Sequence, residues 1–114
     1  MKMNFVQIGI SILISLIMAY GLFSFTESEN GVLLSVGGFI YFSTTLSMSF
    51  GIKFDFPRTT INIKVISFIF FIIGLISNLV FMLHSFTVPS YIILNSLLFI
   101  TLILIAYSIY NLKQ

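Results

Sequence analysis

Few side chains in this 114-residue chain could carry out chemistry, and they are scattered along it. The acids are Glu27, Glu29 and Asp55, the one histidine is His84, and cysteine is absent. General acid-base catalysis needs a positioned acid and base, and a zinc site needs several converging ligands. The scattered acids and the one histidine make neither set. We therefore expect no catalytic residue, no metal site, no cofactor and no enzyme.

The composition indicates a membrane protein. Hydrophobic residues make up 59% of the chain and charged residues 7%, against about half and about a quarter in soluble domains. Too few polar side chains remain to cover a soluble globule of this size. We expect the lipid bilayer to be the main solvent, and with only five Lys and Arg we expect no direct binding of nucleic acid.

Four uninterrupted apolar runs are each long enough to cross a bilayer, which takes about 20 helical residues. None contains Asp, Glu, Lys or Arg, and turn or charge signals separate them. We predict an all-α membrane protein, a single four-helix transmembrane domain over residues 1–114 folded as two antiparallel hairpins. The predicted spans are 5–25, 32–52, 65–84 and 91–110, with a loop at 53–64. The first run is longer than the core of a signal peptide, so we expect it to be retained.

Positive charge lies on one side of this arrangement. The five basic residues are Lys2, Lys53, Arg58, Lys64 and Lys113, whereas residues 24–31 and 85–90 have none. Lys and Arg near span ends mark the cytoplasmic side. We expect both termini and the 53–64 loop to be cytoplasmic, an N-in and C-in orientation.

The local structure of that loop has two interpretations. Pro57 disfavours a helical conformation at Phe56 and so stops the second span from continuing. Apolar and polar residues alternate over 61–65. This alternation fits a short extended edge that a partner strand could join, and it fits equally a third helix that starts early at the membrane interface.

The same loop is the best candidate for contact with another protein. Aromatic and arginine side chains dominate the energetics of many interfaces, and the loop has both. The candidate docking residues are Lys53, Phe54, Phe56, Arg58 and Lys64. Alternatively, these charges only fix topology and touch anionic lipid headgroups.

The second span is rich in small residues, which let helices approach closely in lipid. Its glycines and hydroxyls recur at steps of three and four, the spacing of a helix-packing seam. The predicted packing residues are Gly31, Ser35, Gly38, Thr45 and Ser49, with Phe42 on the same seam and Gly74 in the third span. The alternative is a polar channel lining made by Ser43, Thr44, Thr45 and Ser47.

Polar residues in the last two spans predict a buried pair. If the hairpin turns between Thr87 and Val88, Asn78 and Asn95 lie at equal depth. An amide in hydrocarbon needs a hydrogen-bond partner, so we expect these two to bond across the hairpin or between subunits. Near span ends we expect interfacial residues, namely Tyr20, His84, Tyr91, Tyr107 and Tyr110.

Two transporter families provide a comparison. The length and four spans resemble small multidrug resistance transporters, which use a glutamate in the first helix; residues 4–25 have no acid. The segment GGFIYFSTT is similar to part of the small four-helix fluoride channels, but it lies in a different span and the rest of their signature is missing. Transporters commonly keep an ionisable residue inside the membrane, and these spans have none outside His84.

The size, the four spans and the abundance of Ile, Phe, Asn and Lys resemble the membrane subunits of two-gene, Kiwa-type anti-phage systems. That resemblance implies a bacterial inner-membrane sensor subunit that holds a cytoplasmic effector in antiviral defence. We therefore expect a non-enzymatic homo-oligomer that signals to a cytoplasmic protein partner. The alternatives are a small ion or solute channel lined by the second span, and a protein that confers immunity to a toxin.

Overall fold

The computed structural model describes residues 2–26, 31–53, 57–84 and 87–112. The helices are α1 (Phe5–Phe25), α2 (Gly31–Phe50), α3 (Pro57–Leu83) and α4 (Val88–Leu112), and the strands are β1 (Lys2–Met3) and β2 (Ile52–Lys53). All four helices are long and apolar enough to cross a membrane. The predicted all-α class with four candidate spans is therefore confirmed.

Local caps set the two ends of α1, which begins and ends at the predicted residues. At its start the Asn4 side chain accepts a hydrogen bond from the Gln7 N–H at 3.3 Å. At its end the Thr26 N–H donates to the Leu22 carbonyl at 3.1 Å. Such bonds satisfy backbone groups that the helix itself leaves without a partner.

The third helix begins at Pro57, so of the two interpretations of residues 61–65 the early helix start is confirmed and the extended edge is wrong. Proline suits the first helical position because its ring fixes φ and its missing N–H would have no partner there. Arg58 and Lys64 come before the apolar run in the sequence but lie within the helix. At 27 residues, α3 is about 40 Å long. This exceeds a hydrocarbon core of about 30 Å, so α3 can extend beyond the hydrocarbon.

The second helix occupies the centre of the bundle. It packs along α1 and α3 and touches α4 over a shorter stretch. A cluster of buried side chains joins α1, α2 and α4, and half-buried side chains of α3 such as Phe71 and Leu75 pack against it. The buried members are Leu22, Leu34, Tyr41, Phe42 and Tyr91. Most of the outward-facing residues of the four helices are large and apolar, as lipid contact requires.

Small hydroxyl residues fill the interior in the half of the bundle nearest the strands. They are Ser11, Ser15, Thr45, Ser49 and Ser67, all buried. Ser11 and Ser15 donate to carbonyls one turn back in their own helix, at 2.9 and 2.8 Å. Ser67 Oγ is the one buried side-chain oxygen or nitrogen without a partner in the described part of the chain. Close helix approach at these small residues, together with the buried side chains of Leu46, Ile63 and Leu102, holds this half together.

Candidate functional site

One end of the bundle carries four basic residues, Lys2, Lys53, Arg58 and Lys64, and we call it the basic end. There β1 pairs with β2 in antiparallel fashion, with Lys2 opposite Lys53 and Met3 opposite Ile52. The Asn4 N–H also donates to the Gly51 carbonyl at 2.8 Å. This pairing ties the start of α1 to the end of α2 and brings two lysines together.

Lys64 is bonded within the chain. Its Nζ donates to the Ser49 backbone carbonyl at 2.9 Å, and the Ser49 hydroxyl donates to the Lys64 carbonyl at 3.1 Å. Ser49 lies in the last turn of α2, where carbonyls lack helical partners and a positive charge is favourable. Lys64 therefore caps α2 from the neighbouring helix, a contact that the sequence pattern did not reveal.

The other predicted docking residues are distributed as follows. Lys53 is exposed on β2, and Arg58 is exposed in the first turn of α3. Phe54 and Phe56 lie outside the described residues, as does Asp55 between them. The described part of the predicted docking loop is therefore cationic, and it is held by a strand pair and a helix start.

The predicted packing residues of α2 lie mostly inside the bundle. Gly31, Gly38, Thr45 and Ser49 are buried, and Ser35 is half-buried. A Cβ added at Gly38 would lie 2.7 Å from Leu22 Cδ1 of α1. One added at Gly31 would lie 2.9 Å from Thr26 Cγ2, just after α1. The two glycines therefore let α1 approach α2.

Gly74 of α3 makes the tightest glycine contact in the described chain, against the ring of Tyr41. A Cβ added there would overlap Cε1 of that ring. Tyr41 is 0% exposed, and its hydroxyl donates to the Phe70 carbonyl at 2.6 Å. Ring and hydroxyl together fix α2 against α3 at this level.

Hydroxyls of the candidate channel lining bond to their own helix. Ser43 and Thr44 both donate to the Ile40 carbonyl, at 3.1 and 2.8 Å. Thr45 is buried and lies 3.1 Å from the Tyr41 carbonyl and 3.2 Å from that of Phe42. Membrane helices commonly satisfy Ser and Thr in this way.

The two amides have separate partners within the chain, so the predicted bond across the hairpin is not formed, and the predicted bond between subunits stays a prediction. Asn78 is 0% exposed; it donates to the Gly74 carbonyl at 2.7 Å and accepts from the Tyr91 hydroxyl at 2.7 Å. Asn95 instead donates to the Gly37 carbonyl of α2, at 3.4 Å. Position along the sequence does not fix the direction in which each side chain points, and that direction decides the partner.

Tyr91 is a core residue, so the prediction of an interfacial anchor is wrong. It is 1% exposed, and its one O–H is shared between Asn78 Oδ1 and the Leu34 carbonyl oxygen, which lies farther away at 3.2 Å. Its ring lies against Gly37, where an added Cβ would be 2.7 Å from the hydroxyl oxygen. Tyr91 precedes Asn95 by one helical turn on the same face of α4. This spacing was the sequence signal that Tyr91 faces the bundle together with Asn95. Tyr91 joins α2, α3 and α4.

The remaining residues predicted for the interface are exposed. Tyr20, Tyr107 and Tyr110 are 72%, 64% and 46% exposed. His84 is exposed just after α3, and its Nδ1 lies 3.0 Å from the Val80 carbonyl.

These features define the class as an all-helical, multi-pass membrane protein with a central small-residue helix, a buried polar network and a basic end. Comparison of the chain with protein families, with characterised proteins and with solved structures finds no match. Function is therefore inferred from the residues themselves.

Proposed function

We propose that this chain is a non-enzymatic subunit of the bacterial inner membrane that self-associates and holds a cytoplasmic protein at its basic end. Both termini are cytoplasmic in this proposal. The observation that carries it is the construction of the basic end. Strand pairing brings Lys2 opposite Lys53, and α3 is long enough for its first turns to leave the hydrocarbon with Arg58 exposed.

A fixed array of cations favours one kind of partner. Charges held by backbone pairing keep their mutual distances, and such complementarity gives specificity and speeds association. A protein with an acidic surface would match Lys2, Lys53 and Arg58. Arginine adds selectivity for carboxylates because its planar guanidinium can bond both oxygens. Phe54 and Phe56 of the same loop would supply the apolar part of the contact.

We expect native-level purification in mild detergent to recover a soluble protein in stoichiometric amount. In the double variant Lys53→Glu/Arg58→Glu the amount of partner retained should fall about tenfold or more. The new glutamates would face the acidic surface of the partner, and like charges across an interface cost several kcal/mol. Lys113→Glu, a charge reversal on the same predicted side, is the control and should retain it fully. Quantitative mass spectrometry of the eluates measures the ratio.

A wild-type eluate with nothing attached would contradict the proposed partner, and equal retention by the double variant would contradict the basic end as its binding site.

The resemblance to Kiwa-type subunits extends the proposal to sensing of the envelope during phage infection. Protein purified from cells before infection and from cells after infection should then retain different amounts of the partner. An unchanged ratio would contradict sensing but not anchoring.

The geometry of α2 supports a subunit over a conductor. The hydroxyls of Ser43, Thr44 and Thr45 are bonded to backbone carbonyls of α2, and Thr45 is 0% exposed. Hydroxyls used in this way are satisfied by their own helix, as Ser and Thr commonly are in membrane helices, and their presence does not require an ion path. Ion flux through proteoliposomes holding this protein alone, if lost on Thr44→Val, would overturn this choice.

Self-association is supported by a groove between α2 and α4, on the least buried helix of the bundle. This cavity of about 390 Å³ is largely apolar but includes Gly37, Asn95 and Ser96. Amides and hydroxyls facing lipid favour bonds to a neighbouring helix. A second copy packed on this groove through a two-fold axis, the commonest symmetry of homo-oligomers, would provide such bonds.

Cysteine scanning tests that arrangement cleanly, because the chain has no cysteine of its own. Ser96→Cys should form an oxidised dimer in membranes in high yield, since a two-fold axis at the groove brings Ser96 of one copy near Ser96 of the other, within disulfide reach. Ile17→Cys is the matched control, being 65% exposed on α1 and equally far from its helix end. A Ser96→Cys yield no higher than that of Ile17→Cys would contradict the groove as the contact.

A further inference from the structure

A small cavity lies within the basic end. It has a volume of about 290 Å³ and its lining combines apolar, polar and cationic side chains, including Phe50, Ile52, Asn4, Thr60, Lys53 and Lys64. These residues come from the cap of α1, the end of α2, β2 and the first turns of α3. The cavity therefore lies where the helices meet the membrane surface.

The charges around this cavity favour an anion. Lys64 Nζ donates one bond, to the Ser49 carbonyl, and an ammonium has three N–H groups to donate. Lys53 is exposed and faces Lys2 across the strand pair. Asp55, the nearest acid in the sequence, lies outside the described residues.

The two kinds of lining match the two parts of a lipid. Phe50 is 48% exposed and Ile52 is half-buried, so apolar surface adjoins the lysines. A soluble anion would gain nothing from that apolar surface. An anionic phospholipid would place its phosphate on the ammonium groups and its acyl chain against the apolar side chains, gaining about 1 kcal/mol per nearby lysine.

We infer that this cavity binds the headgroup of an anionic phospholipid such as phosphatidylglycerol, which carries no cation to compete with the lysines, with Lys53 and Lys64 on the phosphate and with Phe50 and Ile52 along the start of an acyl chain. The site goes beyond the proposed function because it needs only this chain and the bilayer; a lipid on Lys53 would compete with an acidic partner for that one side chain. A lipid held there would bridge α1, α2, β2 and α3, and it would stabilise the basic end.

Thermal unfolding of the full chain in detergent, followed by the helical circular dichroism signal, tests the site. Added phosphatidylglycerol should raise Tm, whereas phosphatidylcholine with the same acyl chains and inorganic phosphate should not. Lys53→Gln should weaken the apparent affinity for phosphatidylglycerol about fivefold. Lys2→Gln is the matched control: it removes the same charge from the paired strand, but Lys2 does not line the cavity, and the affinity should stay within about twofold of wild type.

Three results would overturn the inference. An equal loss in Lys2→Gln and Lys53→Gln would show diffuse attraction to an anionic surface. An equal Tm rise with inorganic phosphate would show a site for free anions. Equal effects of the two lipids on wild-type protein would show no headgroup site, and this comparison does not depend on any variant folding. Lys64 is left unchanged throughout because its substitution also removes the bond to Ser49.

Discussion

Gly74→Ala should lower the free energy of unfolding by about 1 to 3 kcal/mol, the usual cost of overpacking a core. Alanine is otherwise the better helix former, by about 1 kcal/mol, so the expected sign is the reverse of the intrinsic preference. The cause is Tyr41, whose ring overlaps the position of the new methyl group. That ring cannot move aside cheaply because it is fully buried and its hydroxyl is bonded to the Phe70 carbonyl.

Chemical unfolding in mixed micelles, followed by circular dichroism, measures this effect. Gly9→Ala and Gly21→Ala are matched controls in another span, since a Cβ at either glycine meets no atom within 4 Å. Both should be neutral or slightly stabilising. Adding Tyr41→Leu to Gly74→Ala should cost less than the two single changes together, because they share one contact. A Gly74→Ala variant as stable as Gly21→Ala would contradict the Tyr41–Gly74 contact.

Tyr91→Phe should destabilise the protein by about 1 to 3 kcal/mol, although it removes a single oxygen. Asn78 Oδ1 would lose the hydroxyl that donates to it at 2.7 Å, in a fully buried position where water cannot replace it. Asn78→Leu removes the same bond from the other side. The double variant should therefore cost less than the sum of the single changes, by about 0.6 to 1.7 kcal/mol.

Tyr107→Phe is the control for this double-mutant cycle of Tyr91 and Asn78, because Tyr107 is 64% exposed. It should change the unfolding free energy by under about 0.5 kcal/mol. Equal effects of Tyr91→Phe and Tyr107→Phe would contradict the buried network. Strict additivity of Tyr91→Phe and Asn78→Leu would show that the two side chains do not interact.

The two sets of substitutions probe adjoining parts of one polar and aromatic core. Asn78 Nδ2 donates to the Gly74 carbonyl, and Gly74 is the residue that Tyr41 packs against. This core joins α2 to α3 and, through Tyr91, to α4. The proposed docking surface and the lipid cavity lie at the other end of α2, so changes in the core should affect stability before they affect binding.

The sequence by itself determined the four helices and the packing role of α2. Within lipid a segment must satisfy its own backbone hydrogen bonds, so an uninterrupted apolar run of about 20 residues is helical whatever its neighbours are. Gly31, Gly38, Thr45 and Ser49 could be assigned to one face because helical spacing alone places them there. The start of α3 was left open between an extended edge and an early helix, because the charges at Arg58 and Lys64 bound the apolar run but do not by themselves bound a helix.

Only the tertiary structure decided which polar groups meet. Asn78 bonds Tyr91 rather than Asn95, Lys64 caps α2 through Ser49, and Lys2 lies opposite Lys53. Spacing along a sequence gives the height of a residue in its helix, whereas a hydrogen bond also requires the rotation of each helix and the reach of each side chain. Those quantities follow from packing all the helices together, at contacts such as Tyr41 on Gly74 and Tyr91 on Gly37.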